Sequence, residues 1–366
     1  MKIVLISGAS SIHTIRWANG LAKAGLEVHV ITQQPPCDPF DEGVAVYQFP
    51  DRGNFGYFLM VPAVRRLVKE IRPDIVNAHY ASGYGTTARL VNHRPYLLSV
   101  WGSDVYDFPH KSPLHKYLVR KNLLAADKVA STSYCMADEA RKVAAELGDI
   151  AITPFGVDMQ QYQTAKRAES VDPAPIVIGT VKTMAPKYGI STLLEAFALL
   201  RKKCLADAPD VGQRLQLRLV GGGPQIQELK GLAAILGVDS CSEFVGRVPH
   251  EQVPKELSKL DIYVALSELD SESFGVAIIE AGAAARPVVV SDAGGLPEVT
   301  VDGVTGIVVP RNNPVAAAEA IERLVVDPEL RVRMGLAGHQ HVTEKYSWKS
   351  SIEKMISVYE SMIRQN

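Results

Sequence analysis

The 366-residue chain is poor in cysteine, in long apolar runs and in any excess of one charge. Its four cysteines, Cys37, Cys135, Cys204 and Cys241, lie far apart with no CxxC spacing. That argues against a structural zinc site or a disulfide framework and suits a reducing compartment. No stretch approaches the ~18 uninterrupted apolar residues that a membrane-spanning helix needs. The opening apolar run, Ile3 to Ile6, is too short for the apolar region of a secretory leader, and the chain turns polar from Gly8 to Ser11, so a cytoplasmic setting is expected. Thirty-nine Lys and Arg against 40 Asp and Glu leave a net charge of −1. This argues against a protein held on nucleic acid by bulk charge, and no nucleic-acid partner is expected. Against these shortages stand 47% hydrophobic and 22% charged residues, enough to bury a core and exclude wholesale disorder. The length corresponds to about two domains of roughly 150 residues.

Short β-branched runs alternate with longer amphipathic stretches throughout. In the first half the strands are expected at Lys2–Ile6, Glu27–Thr32, Val44–Phe49, Asp74–Ala78, Tyr96–Trp101, Lys128–Ser131 and Ile150–Thr153, with helices between most of them. Runs such as IVLI and DIVNA are apolar throughout, as in strands covered on both faces. Strand, helix, strand in series predicts a parallel sheet with helices on both sides. A polar, turn-rich stretch from Pro154 to Pro175 follows, and the alternation restarts at Ile176. The expected division is residues 1–158, residues 159–345 and a terminal helical segment 346–366. In that segment Ile352, Met355, Ile356, Tyr359 and Met362 keep helical spacing. It docks on the second domain or returns to pack toward the first.

The richest stretch is Ser267 to Pro297, SELDSESFGVAIIEAGAAARPVVVSDAGGLP. Small and polar residues precede Phe274-Gly275, where an apolar helix begins. The unpaired N–H groups and positive dipole of such a helix start stabilise an anion, and Gly275 lets it approach the backbone. A plain capped helix would look the same. Glu280 lies among Val276, Ala277, Ile278, Ile279, Ala281, Gly282 and Ala283, in a helix too apolar to be exposed. A buried carboxylate must be paired or hydrogen-bonded, either to a core Arg or Lys or to ligand hydroxyls such as a ribose diol. Glu272 precedes it by eight residues, ~12 Å along a helix if helical rise held. It is either a ligand contact or a solvated first-turn acid.

Glu272-x7-Glu280, in ESFGVAIIEA followed by RPVVVSDAGGLPEV and DGVTGIVVP, resembles the signature of retaining family-4 glycosyltransferases. So do, in order, Pro154-Phe-Gly-Val-Asp158, Gly179-Thr-Val-Lys182 with Lys187-Tyr-Gly189, Leu219-Val-Gly-Gly-Gly-Pro224 and Phe244-Val-Gly246. The resemblance covers most of residues 154–345, and is looser in the first half. It implies the α/β GT-B fold, two Rossmann-like doubly wound parallel-sheet domains facing a central cleft, the first for acceptor and the second for a nucleotide sugar. It implies that Lys182 and Lys187 neutralise the donor diphosphate; Lys at 182, where the family more often has Arg, keeps charge but loses bidentate geometry. Two loop lysines taken alone would read as solvated. The resemblance gives Glu280 to the ribose, Glu272 to the transferred sugar, and the N–H groups of Phe274, Gly275 and Val276 to the phosphates or sugar. It sets Gly223, within the Gly221 to Pro224 turn, beside the nucleotide and the backbone of Arg247 and Val248 beside the base. It further implies transfer with retention, without metal or other cofactor. No Asp-x-Asp is present; Asp270-x-Glu272 is the nearest approach.

On the acceptor side the candidates at expected C-terminal strand ends are Gly8 to His13, His79-Tyr80-Ala81 and Trp101-Gly102-Ser103-Asp104. Gly8-Ala9 stands where relatives of that family often have two glycines near the donor phosphates. Trp101-Gly102-Ser103-Asp104 replaces their His-Gly-x-Asp, so His79 or His13 would have to serve for the missing histidine, although a lone strand-end His is commonly structural. From His110 to Leu124 the chain carries Lys111, Lys116, Arg120 and Lys121 with no acid. It is either a solvated helix face or a peripheral contact with anionic lipid, such as the inner face of a cell membrane, consistent with a glycan or lipid-linked acceptor in polysaccharide or glycolipid synthesis. A dehydrogenase is disfavoured because neither half carries G-x-G-x-x-G after its first strand. A same-fold epimerase or phosphorylase and a non-catalytic two-lobed sugar-binding protein are the rivals. Uridine is favoured over guanosine as the donor base.

Overall fold

The computed structural model describes residues 1–162 and 174–365; Asp172 and Pro173 of the turn-rich stretch lie outside the described residues. The chain forms two compact units, one of Met1–Phe155 with Trp348–Asn366 and one of Gly156–Ser347.

The first unit is built on β1 (Lys2–Ile6), β2 (Glu27–Thr32), β3 (Val44–Gln48), β4 (Ile75–His79), β5 (Tyr96–Val100), β6 (Lys128–Ser131) and β7 (Ile150–Ile152), in the order β3-β2-β1-β4-β5-β6-β7. Every pairing is parallel, with β1 flanked by β2 and β4. Ile3, Val4, Leu5 and Ile6 are all fully buried, as a central parallel strand covered on both faces requires. Between β3 and β4 the chain forms two helices, Gly53–Leu59 and Val61–Ile71, broken at Met60 with Pro62 in the first turn of the second. The terminal helix Trp348–Arg364 lies on the helix Ile12–Lys23. Trp348 meets Trp17 edge to face at 5.3 Å, and a Cβ on Gly20 would stand 2.7 Å from Ile352 Cδ1. Tyr359 is fully buried and its hydroxyl accepts from Asn77 Nδ2 at 2.8 Å, in the middle of β4.

The second unit contains β8 (Ile176–Val181), β9 (Leu215–Val220), β10 (Ser242–Gly246), β11 (Ile262–Ala265), β12 (Val288–Ser291) and β13 (Gly306–Val309), ordered β10-β9-β8-β11-β12-β13 and again all parallel. Its core joins the β8, β9 and β11 residues Ile178, Leu217, Leu219 and Val264 to Phe197, Leu200, Ile321 and Leu324 from the covering helices. A helix that the sequence pattern did not suggest spans Pro328–Lys345. Its buried positions are Met334, Gly335, Gly338 and Val342, two of them glycines, which leaves too few large side chains to register as an apolar stripe. Gly338 and Val342 pack on Gly282 of the helix Val276–Ala283, where a Cβ would come within 2.7 Å of Val342. Among the described residues no helix is long and apolar enough to cross a membrane.

Candidate active site

In the second unit the groups of interest emerge from the C-terminal ends of neighbouring strands. The glycines after β9 run alongside the segment after β8: Lys182 N donates to Val220 O and Met184 N to Gly222 O, both at 2.9 Å. The approach is so close that a Cβ on Gly221 would lie 1.8 Å from Lys182 O. With φ of 144° at Gly221, glycine is required both by conformation and by contact. Val181, Lys182, Thr183, Gly223, Arg247 and Val248 line a cavity of about 530 Å³ at this edge. Four residues singled out in the sequence, Lys182, Gly223, Arg247 and Val248, are thereby brought to one concavity.

Because β11 pairs directly with β8, the loop after β11 lies beside this segment. Lys182 Nζ donates to Glu272 Oε1 at 2.7 Å, and Glu272 is only 8% exposed. It is therefore a buried, paired carboxylate and not a solvated first-turn acid. Residues 267–275 precede the helix, which starts at Val276, so helical rise does not set the Glu272-to-Glu280 separation. Lys187 occupies a 3-10 turn, Pro186–Tyr188, and its carbonyl accepts from Glu268 N at 2.9 Å, linking the lysine and acid loops. Tyr188, which sequence reasoning passed over, holds both ammoniums: Lys182 Nζ is 4.6 Å and Lys187 Nζ 4.8 Å from its ring centroid. Burial pushes the Tyr188 hydroxyl up, offset by Lys182 and reinforced by Glu272.

The helix Val276–Ala283 begins at Gly275, whose φ of 91° places it in the left-handed region. The Phe274 side chain is buried, 5.9 Å from the Tyr346 ring. Glu280 is buried, and His250 is one group near it, with Nε2 3.6 Å from Oε1. No local pattern ties a half-exposed histidine on the loop after β10 to that acid. Among the described residues no group of three or more His, Cys, Asp or Glu side chains is placed to hold a metal ion.

In the first unit the adjacent strands β1, β4 and β5 gather His13, His79, Tyr80 and Trp101. Trp101 lies 4.0 Å from the His79 ring and 6.2 Å from that of His13, and His13 stacks on Phe155 at 4.2 Å. Tyr80, named in the sequence with His79 and Ala81 at that strand end, has a positive φ of 68°, a strained conformation for a non-glycine residue, with its ring 5.4 Å from Trp101. His79 is buried, its Nδ1 2.9 Å from Ser7 Oγ, and burial lowers its pKa to about 3, so it is neutral near pH 7. Asp104, 1% exposed, accepts from the N–H groups of Ala81, Trp101 and Gly102 at 2.7, 3.2 and 2.9 Å. Burial raises its pKa while these bonds oppose the rise. Its carboxylate thus shapes the loops that present Trp101. A Cβ on Gly8 would lie 3.1 Å from Gln34 Oε1.

The two all-parallel α/β sheets, of seven and six strands, define a GT-B glycosyltransferase fold. The profile described as glycosyl transferase 4-like matches residues 2–133, and that described as glycosyl transferases group 1 matches residues 161–341. The D-inositol 3-phosphate glycosyltransferase of Nocardia farcinica is 27% identical over an alignment covering 98% of this chain and 85% of the relative. The GDP-mannose-dependent alpha-(1-6)-phosphatidylinositol monomannoside mannosyltransferase of Mycolicibacterium smegmatis is 31% identical over 54% of this chain and 52% of its own. Sucrose-phosphate synthase from Thermosynechococcus elongatus superposes over the whole of both chains with a TM-score of 0.80 at 21% identity. Anabaena HepE in complex with UDP does so with a TM-score of 0.78 at 17% identity, over 99% of this chain and 100% of its own. The chain belongs to the family-4 type of glycosyltransferases with the GT-B fold.

Proposed function

We propose that this glycosyltransferase moves a hexose from a nucleoside diphosphate sugar, uridine in preference to guanosine, to a hydroxyl of a glycan or lipid-linked acceptor with retained anomeric configuration. The observation that carries the reading is the cavity of about 530 Å³ in which Lys182 and Arg247 meet the glycine turn after β9, with Glu272 2.7 Å from the Lys182 ammonium. Cations and close backbone suit a diphosphate, and an adjoining carboxylate suits sugar hydroxyls. The UDP bound to HepE and the GDP-mannose dependence named for the mycobacterial relative support a nucleotide donor.

In the proposed reaction the bond from the anomeric carbon to the β-phosphate oxygen breaks as the acceptor oxygen bonds that carbon on the same face. The acceptor proton passes to the departing phosphate. Lys182 and Lys187 stabilise the charge that gathers on the leaving group, and electrostatic stabilisation of this kind is commonly the largest catalytic term. Glu280 orients the ribose and Glu272 the sugar. Donor contacts come from the backbone of Phe274, Gly275, Val276, Gly223, Arg247 and Val248. On the acceptor side His13 is partly exposed while His79 and Trp101 are largely buried, so His13 is offered to the acceptor, with Trp101 packed beside it and Asp104 holding the Trp101 loop. The ammonium groups make a divalent cation unnecessary in this scheme, and turnover in a chelator tests that.

A peripheral contact of the helix Pro113–Ala125 with anionic lipid, at the inner membrane face in polysaccharide or glycolipid synthesis, belongs to the same reading. Leu114, Tyr117 and Leu124 are exposed on it, and Lys121 lies 5.6 Å from the Tyr117 ring centroid. Apolar side chains between lysines suit an acidic interface.

A thermal-shift titration with UDP, GDP and their sugars tests the donor site, since a ligand that binds only the folded chain raises its melting temperature. Glu280→Ala is expected to abolish the shift and Lys187→Ala to weaken it; unaltered shifts in both reject the site. Release of free sugar or of an epimer, with no transfer to any acceptor, would favour the same-fold rivals.

A further inference from the structure

The loop carrying Glu272 is fastened by a single guanidinium. Strands β11, β12 and β13 lie side by side, so the segments leaving their C-terminal ends, which hold Asp270, Asp292 and Arg311, are neighbours. Arg311 spans all three. Its backbone N–H and its Nε each donate to Asp292 Oδ1 at 3.0 Å, and its Nη2 donates to Asp292 O at 2.7 Å. Its Nη1 crosses the end of β12 to donate to Asp270 Oδ1 at 2.8 Å and to Glu268 O at 3.4 Å. Asp270 Oδ1 also accepts from Gly294 N at 3.1 Å, and Gly295 N donates to Glu272 O at 3.0 Å. The contact is so close that a Cβ on Gly294 would lie 2.4 Å from Glu272 O. The backbone at Glu272 is thus pressed on the turn after β12, and Arg311 ties both sides of that contact.

We propose that Arg311 is a positioning residue for Glu272: its fork locks the 268–272 loop to the turn after β12 and so sets the reach of the Glu272 carboxylate toward Lys182 and the transferred sugar. The proposal rests on the reading of Glu272 as a sugar contact. Five donated bonds from one residue, shared between a side-chain carboxylate and a backbone carbonyl on each of two segments, fix orientation in a way a lysine could not reproduce. The guanidinium is one-third exposed, so its work is directional and not the filling of a core.

The test compares the wild type with Arg311→Met and, as a variant that leaves the Asp292 side intact, Asp270→Ala. Hydrogen exchange is read on the peptide covering 268–275, and steady-state transfer is measured from the best donor. Both variants are expected to speed exchange in that peptide while strands β8 and β9 stay protected. The same variants should lower kcat on the order of tenfold, with donor KM changed far less. In a Glu272→Gln background Arg311→Met should remove almost nothing further, because both changes act through one carboxylate. Unchanged exchange at 268–275, or an undiminished loss in the Glu272→Gln background, overturns the proposal. Failure of the wild type to bind or turn over any nucleotide sugar would overturn the functional reading instead, and the exchange comparison would still decide whether Arg311 holds the loop.

Discussion

Lys182 and Glu272, ninety positions apart, are joined by a 2.7 Å hydrogen-bonded ion pair. The cation assigned to a diphosphate and the acid assigned to a sugar neutralise each other. On the proposed reading a donor exchanges this bond for two new ones, phosphate with Lys182 and hydroxyl with Glu272. A partly buried charge left without its partner is costly, so each member of the pair stabilises the other.

That relationship predicts opposite effects from its two members. Lys182→Met should weaken UDP binding by about 1.5–3 kcal/mol, roughly ten- to hundredfold, the worth of a charged hydrogen bond. Glu272→Gln should lower transfer strongly, to a residual rate that stays measurable, yet leave UDP binding equal or tighter, because the ammonium is released. Calorimetric titration with UDP checks both, and equal weakening in the two variants would rule out the exchange of partners.

Trp101 packs against His79 and Tyr80 and is itself largely buried. Trp101→Ala should leave nucleotide binding intact while impairing transfer. It should also destabilise the first unit by about 3–5 kcal/mol, as large-to-small aromatic changes in cores do. Transfer assays beside denaturant unfolding separate the two effects, and wild-type turnover would remove Trp101 from the acceptor side.

His79 makes the first unit sensitive to acid. Burial sets its folded pKa at about 3, below the ordinary value of 6.5. As pH falls the unfolded chain takes the proton first, so this contribution is full above 6.5 and drains progressively toward 3. The expected slope is at most about 1.4 kcal/mol per pH unit for one proton. His79→Asn should flatten the dependence of unfolding free energy between pH 6.5 and 4. An unchanged slope would show that other groups carry the acid response.

The helix Pro113–Ala125 should bind vesicles containing anionic lipid and lose that binding as salt rises. Lys116→Glu with Lys121→Glu should cut cosedimentation several-fold without altering donor binding. Equal binding to neutral vesicles, or none to either, would reject the contact.

Much of the fold was legible because a parallel strand covered on both faces is written as a short apolar run. The observed β1, β2 and β6 coincide with the spans expected for them, Lys2–Ile6, Glu27–Thr32 and Lys128–Ser131. The helix Pro328–Lys345 was not legible, since half of its buried positions are glycine and its contact with Gly282 depends on close approach. Glu280 stood out as an acid in an apolar helix, and it is buried. Tyr188, His250 and Arg311 carried no such mark. Each is an ordinary surface residue until its partners are known.

The amino-acid sequence by itself determined which segments are buried, because periodicity and composition act over a few neighbouring residues. It also determined that a glycine-rich turn, two loop lysines and two spaced acids follow strands of the second half. Only the tertiary structure decided which of these meet. The order β9-β8-β11-β12-β13 brings the segment after β8 beside the one after β11, and Arg311 within reach of Asp270. Strand order arises from long-range pairing of many similar apolar runs, and no local pattern distinguishes one such neighbour from another.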